Sequence, residues 1–187
     1  VPELTAMAHL GGRLATGLRD VTDDLAALES SGWWAVTVTF EGHVRCARFD
    51  DVRDAPLPLT PWPGVPLQAW STSMDRDSYT AAVRQVRERI ATGDVYQANI
   101  CRVLSAPLPA AADLVGLAGL LAAGNPAPYQ GVVRLPGNDV QVATASPELF
   151  LRRRGGVVES GPIKGTGRTV ADLSPKDSAE NVMIVDL

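Results

Sequence analysis

Tyr129-Gln130-Gly131-Val132-Val133-Arg134-Leu135, Pro136-Gly137-Asn138-Asp139 and Val140-Gln141-Val142-Ala143-Thr144-Ala145 form the stretch on which the fold turns. Two runs rich in β-branched and aromatic residues flank four turn-forming residues, the pattern of a β-hairpin. Leu149 to Arg154 reads as a third strand, and Gly155-Gly156 turns it back into Val157-Val158-Glu159. Successive hairpins make an antiparallel sheet, because a parallel pair needs a crossover of a dozen or more residues. The expected fold class is therefore α+β, not a parallel βαβ arrangement.

Working outward from there, Asp113 to Ala123 reads as a short Leu/Ala-rich helix that stops at Gly124-Asn125-Pro126. Upstream, Val95 to Leu104 alternates, with Gln97 and Asn99 on one row, and predicts a strand that lines a pocket. Before it, Asp77 or Ser78 caps a helix whose Tyr79, Val83, Val86 and Ile90 share one face and which ends at Gly93. Pro56, Pro58, Pro61, Pro63 and Pro66 make residues 54–66 an extended connector. They suggest a division into a short N-terminal region, 1–66, and a larger part, 67–187. In the first region Trp33 to Phe40 and His43 to Phe49 read as a hairpin about Glu41-Gly42, after helical character at 23–30. At the far end Ser174-Pro175 starts a helix, with Ser as N-cap and Pro at the first helical position. That helix is apolar enough to expect burial, yet no cap or polar tail closes it by Leu187. It predicts a chain cut in mid-course, incomplete at its C-terminus.

A net charge of -4 and a sequence pI near 5.1, with no basic stripe, exclude a nucleic-acid or anionic-membrane surface. Arg152-Arg153-Arg154 reads as the solvated end of a hairpin strand. Cys46 and Cys101 make neither a disulfide framework nor a zinc pair, and they read as buried reduced thiols of a cytoplasmic protein. No apolar run approaches the ~20 residues that span a bilayer.

The densest signal for chemistry is Gly161-Pro162-Ile163-Lys164-Gly165-Thr166-Gly167-Arg168. Its glycines allow close backbone approach to a ligand, and its one lysine offers a charge or, if desolvated, a nucleophile. On composition alone an ordinary Gly-rich turn with a solvated lysine fits equally. A phosphate loop does not, since Walker A puts Lys between Gly and Ser/Thr at the start of a helix. Glu148, at a strand junction in Ser146-Pro147-Glu148, reads as an acid or base or else as a solvated edge residue. Asp177 and Glu180 lie three apart on the last helix, a spacing that suits Mg²⁺ or plain dipole compensation. His9 and His43 have no partner pattern.

Five segments then occur in one order: Gly93-Asp94-Val95-Tyr96-Gln97-Ala98-Asn99, Asn125-Pro126-Ala127-Pro128-Tyr129, Ala145-Ser146-Pro147-Glu148, Pro162-Ile163-Lys164-Gly165-Thr166, and Asp177-Ser178-Ala179-Glu180-Asn181-Val182-Met183-Ile184-Val185-Asp186-Leu187. From about residue 77 onward the chain resembles the chorismate-binding enzymes, which include anthranilate, aminodeoxychorismate, isochorismate and salicylate synthases. Residues 1–66 resemble a shortened form of that family's N-terminal region. The resemblance implies layered antiparallel β-sheets with external helices. Lys164 stands where aminodeoxychorismate synthases carry Lys and anthranilate synthases usually Ala. Gln97 stands where the water-using members carry a basic Lys.

What the resemblance implies is amination of chorismate at C4, in para-aminobenzoate and folate biosynthesis. Lys164 would attack C2 while Glu148 protonates the leaving hydroxyl, Gly165 and Thr166 would contact substrate, and Glu180 would help hold Mg²⁺. Ammonia would come from a separate glutamine amidotransferase subunit, as nothing here resembles a Cys-His glutaminase site. Arg168 sits a residue earlier than the family's usual arginine. The 187 residues alone are expected to be inactive and, with apolar surface left bare, to self-associate. Anthranilate synthesis and a non-catalytic interaction role are the alternatives.

Overall fold

A computed structural model describes residues 4–165, 169–172 and 174–185. The chain forms two compact units, residues 1–60 with 113–187 and residues 61–112. Residue 66, the expected division, falls within the second of these units. Nothing in the sequence reading anticipates the return at Asp113.

In the first unit β1 (Met7–Leu10) and β2 (Arg13–Thr22) form a hairpin about Gly11-Gly12, both at positive φ. A 3-10 turn at Leu25–Glu29 replaces the helix expected over 23–30, and Asp24 caps it. It leads to β3 (Trp33–Val38) and β4 (Val44–Asp54), the expected hairpin with its second strand running on to Asp54 rather than Phe49. The second unit holds β5 (Ser71–Thr72), α1 (Arg76–Ala91) and β6 (Leu104–Ser105). The N-cap of α1 is Asp75, two residues ahead of the expected start, with its carboxylate accepting from the Ser78 amide at 2.8 Å. The strand expected over Val95 to Leu104 shrinks to the two residues of β6. Alternation makes a strand only where a partner supplies a ladder, and here only β5 does. Gln97 and Asn99 are accordingly exposed on irregular backbone rather than lining a pocket. Back in the first unit, α2 (Leu114–Gly124), β7 (Tyr129–Leu135), β8 (Val140–Ser146), β9 (Leu149–Arg154), β10 (Val157–Gly161) and α3 (Pro175–Val185) follow in turn.

Six strands make one antiparallel sheet in the order β3-β4-β2-β1-β7-β8, while β9 and β10 pair separately. The hairpin that decided the fold class is present, its turn held by the Asn138 amide on the Leu135 carbonyl at 3.1 Å. Alternation divides the core between the two faces of the sheet. Ala8, Ala15, Ala35, Ala47, Phe49, Val133, Leu135 and Val140 fill one face, with Trp33 edge-on to Phe49 at 6.1 Å. Met7, Leu14 and Val132 fill the other, against Val115 and Ala118 of α2. Val115, Val132 and Leu135 are each 1% exposed, and such burial stabilises by ~1.5–3 kcal/mol per side chain.

One charged pair lies in this core. Arg134 and Asp113 are 7% and 8% exposed, and Arg134 Nη1 lies 2.7 Å from both Asp113 carboxylate oxygens. Asp113 also caps α2 through the Val115 amide, and Arg134 Nε donates to the Thr5 carbonyl. The pair therefore ties β7 to the start of the helix that covers it.

Two expectations about surface need revision. Cys46 is buried, as expected, whereas Cys101 is exposed; both are free. The last helix was expected to be buried, but Val182 is 66% exposed. Bare apolar surface, expected without a location, is found at Phe150, Leu151, Val157 and Val158 of the β9–β10 hairpin. Among the described residues no helix is long and apolar enough to cross a membrane.

Candidate functional site

The Ser-Pro-Glu junction between β8 and β9 is pinned by one side chain. Ser146 Oγ donates to the Glu148 carbonyl at 3.0 Å and accepts from the Glu148 amide at 3.3 Å. Register then relates this turn to the lysine loop. Leu149 pairs with Gly161, so Glu148, one residue before β9, and Lys164, three residues after β10, leave the same end of the hairpin. Arg152 of β9 pairs with Glu159 of β10 at 3.1 Å, which leaves the arginine run on solvated hairpin strand. Glu148 is exposed and Lys164 is half-buried.

The loop beyond β10 docks on α3. That helix opens on a reciprocal cap, in which the Ser174 hydroxyl and amide each lie 2.7 Å from Asp177 Oδ2. Those two bonds, the hydroxyl's first, hold the Asp177 carboxyl below its ordinary pKa, with the Lys176 charge adding to them. Asp177 is thereby occupied by the cap. Gly165 has φ +82°, and a Cβ on it would stand 2.8 Å from the Asp177 Cβ, so this glycine is needed for helix contact as well as for conformation. One turn on, Asn181 Nδ2 donates to the Lys164 carbonyl at 3.1 Å. Asp177, Glu180 and Asn181 share a face by their i, i+3, i+4 spacing, so the loop and Glu180 meet on one side of α3.

Gly165→Ala is expected to lift the loop from the helix, since the left-handed backbone alone costs ~1–2 kcal/mol with a Cβ present. Amide exchange over residues 163–165 and 177–181 should then quicken by about tenfold. Unchanged exchange would show that the loop does not depend on this contact.

Glu180 has a partner already, Lys176 Nζ at 3.1 Å one turn back. Among the described residues no group of three or more His, Cys, Asp or Glu side chains gathers to hold a metal. Glu180 is thus a single carboxylate, and the described residues do not complete a Mg²⁺ site around it. Thr166, the other expected substrate contact, lies outside the described residues, as does Arg168. Sequence reasoning quoted Asn181 within a motif but gave it no role. Its signal was available, because an amide in mid-helix is a poor helix former and calls for a reason.

The chain belongs to the chorismate-binding enzyme family, whose model matches residues 34–187. That match begins well ahead of residue 77 and takes in β3 and β4. Among its relatives, anthranilate synthase component 1 1 of Haloarcula marismortui is 39% identical over 124 residues, 60% of this chain and 24% of that protein. Aminodeoxychorismate synthase component 1 of Klebsiella aerogenes is 35% identical over 131 residues, 64% of this chain and 28% of that protein. The chain spans about a quarter of the length of these curated relatives. No solved structure matches.

Proposed function

We propose that the protein aminates chorismate at C4 to give 4-amino-4-deoxychorismate, a step toward para-aminobenzoate and folate. The observation that carries this reading is the lysine of the Pro-Ile-Lys-Gly loop, held against α3 at the hairpin end where Glu148 also emerges. The Lys164 amine forms a bond to C2 of the ring with its lone pair. The ring double bonds shift, and the C4–O bond breaks as Glu148 gives its proton to the departing hydroxyl, releasing water. Ammonia then adds its pair at C4, the double bonds shift back, and the C2–N bond breaks to return the Lys164 amine. The proton shed by the new amine goes to the Glu148 carboxylate, which restores both groups. The amine must be neutral to attack and the acid protonated to donate, so the site has to be closed from water during reaction.

Gly165 and Thr166 would contact the substrate. Glu180 is proposed as one carboxylate ligand of Mg²⁺, which when bound would neutralise a substrate carboxylate. A glutamine amidotransferase partner would supply ammonia, and the protein would adopt the layered two-lobed sandwich of the family in the cytoplasm. The same comparisons include anthranilate synthases, which makes ortho-amination the second reading.

The test is product identity. Incubation of the product of the whole reading frame with chorismate, Mg²⁺ and ammonium, followed by mass spectrometry against standards, is expected to give aminodeoxychorismate. Anthranilate would move the assignment to the second reading, and unconsumed chorismate would leave an interaction role.

A further inference from the structure

We infer that Asn181 is a positioning residue for Lys164, an inference that rests on the reading above. Its Nδ2 donates to two carbonyls, that of Lys164 at 3.1 Å and that of Asp177 at 2.9 Å. The bond back to Asp177 is the i−4 type that slightly disfavours a helix, and asparagine is already a weak helix former. Helix stability therefore does not explain this side chain; capture of the loop carbonyl does. Together with the approach of Gly165 to Asp177, it fixes the peptide unit that follows the Lys164 α-carbon. A lysine has four rotatable side-chain bonds, so anchoring its backbone is what limits where the amine can reach. The need is steep, since a misplacement of ~1 Å can cost a reaction about a hundredfold.

A mere docking contact for α3 predicts a different pattern from a positioning bond, and three variants separate the two. Asn181→Ala is expected to lower kcat about tenfold while KM stays within twofold. Asn181→Asp keeps the volume but points only acceptors at the Lys164 carbonyl, so it should be worse than Ala. In a Lys164→Ala background, adding Asn181→Ala should cause no further loss, because groups acting as a unit are not additive. A kcat within twofold of wild type, a milder effect from Asp than from Ala, or a full additional loss in that background would each overturn the inference.

Wild-type turnover by Lys164→Ala would count instead against the proposed function, and chemical labelling then decides the matter. Lys164 and Lys176 are the only lysines in the sequence. Treatment with an amine-reactive ester and mass spectrometry gives their labelling ratio within each molecule. Asn181→Ala should change that ratio at least threefold, with helix content unchanged by circular dichroism. An unchanged ratio overturns the positioning role whatever the activity.

Discussion

Lys164→Ala is expected to cut chorismate turnover by ~1,000-fold or more, the scale on which removing an attacking group is felt. The stronger discriminant is Lys164→Arg. Arginine keeps the positive charge but stays protonated at any working pH and cannot attack carbon. If Lys164 acts as a nucleophile, Arg is as inactive as Ala; if it only offers charge, Arg restores much of the rate. Rates for the three proteins with saturating ammonium, taken with the mass of any trapped lysine adduct, decide between these. Wild-type turnover by the alanine variant would remove Lys164 from the mechanism altogether.

The largest effect on stability is expected at Asp113. Asp113→Ala leaves the Arg134 guanidinium, 7% exposed, without its carboxylate, and it also strips the cap from α2. Breaking one side of such a buried pair costs ~3–5 kcal/mol. The urea midpoint should fall accordingly, with the slope of the transition unchanged. Replacing both partners, as Asp113→Ala with Arg134→Met, should recover most of the loss, since the penalty comes from the stranded charge. A midpoint that barely moves in the single variant would refute a structural role for the pair.

The same pair sets a dependence on pH. Burial alone pushes the Asp113 carboxyl upward, but the Arg134 hydrogen bond, the Val115 amide, the Arg134 charge and Thr60 outweigh it, and the net shift is downward. A carboxyl with a depressed folded pKa contributes stability that is fully present above its unfolded value, ~3.9. The contribution fades as pH falls through the lower folded value. Acid unfolding of the wild type below about pH 4 should therefore be steeper than that of the double variant.

The strands on either side of Pro136-Gly137-Asn138-Asp139 were legible because turn chemistry and β-branched residues agree there. The two strands at the centre of the sheet were not. Ala8, Ala15 and Ala47 are wholly buried, and Ala35 nearly so, where the sheet face leaves little room for side chains. Pattern reading looks for large apolar residues in alternation, and a core surface lined with alanine does not announce itself. At the site, the loop was conspicuous through its glycines and its lysine. What Gly165 must avoid was not, because Asp177 lies twelve residues further along the chain and meets it only through the fold. Asn181 could be singled out as an amide in mid-helix, but its partner, the Lys164 carbonyl, could not.

The pairing of β1 with β7 joins Met7 to Arg134, so the middle of the sheet cannot close until the ribosome has delivered most of the chain. Roughly 75 residues separate the end of β4 from the start of β7, or ~4–15 s of synthesis at ~5–20 residues per second. Hairpins form in ~1–10 μs, so β1 to β4 can associate long before that and wait with the outer edge of β1 bare. An unpaired edge of this kind is a template for any other strand that arrives first, including one from a neighbouring nascent chain. Yield of folded protein should thus depend on how crowded and how fast translation is, and slower synthesis in dilute expression favours the strand that comes from its own chain.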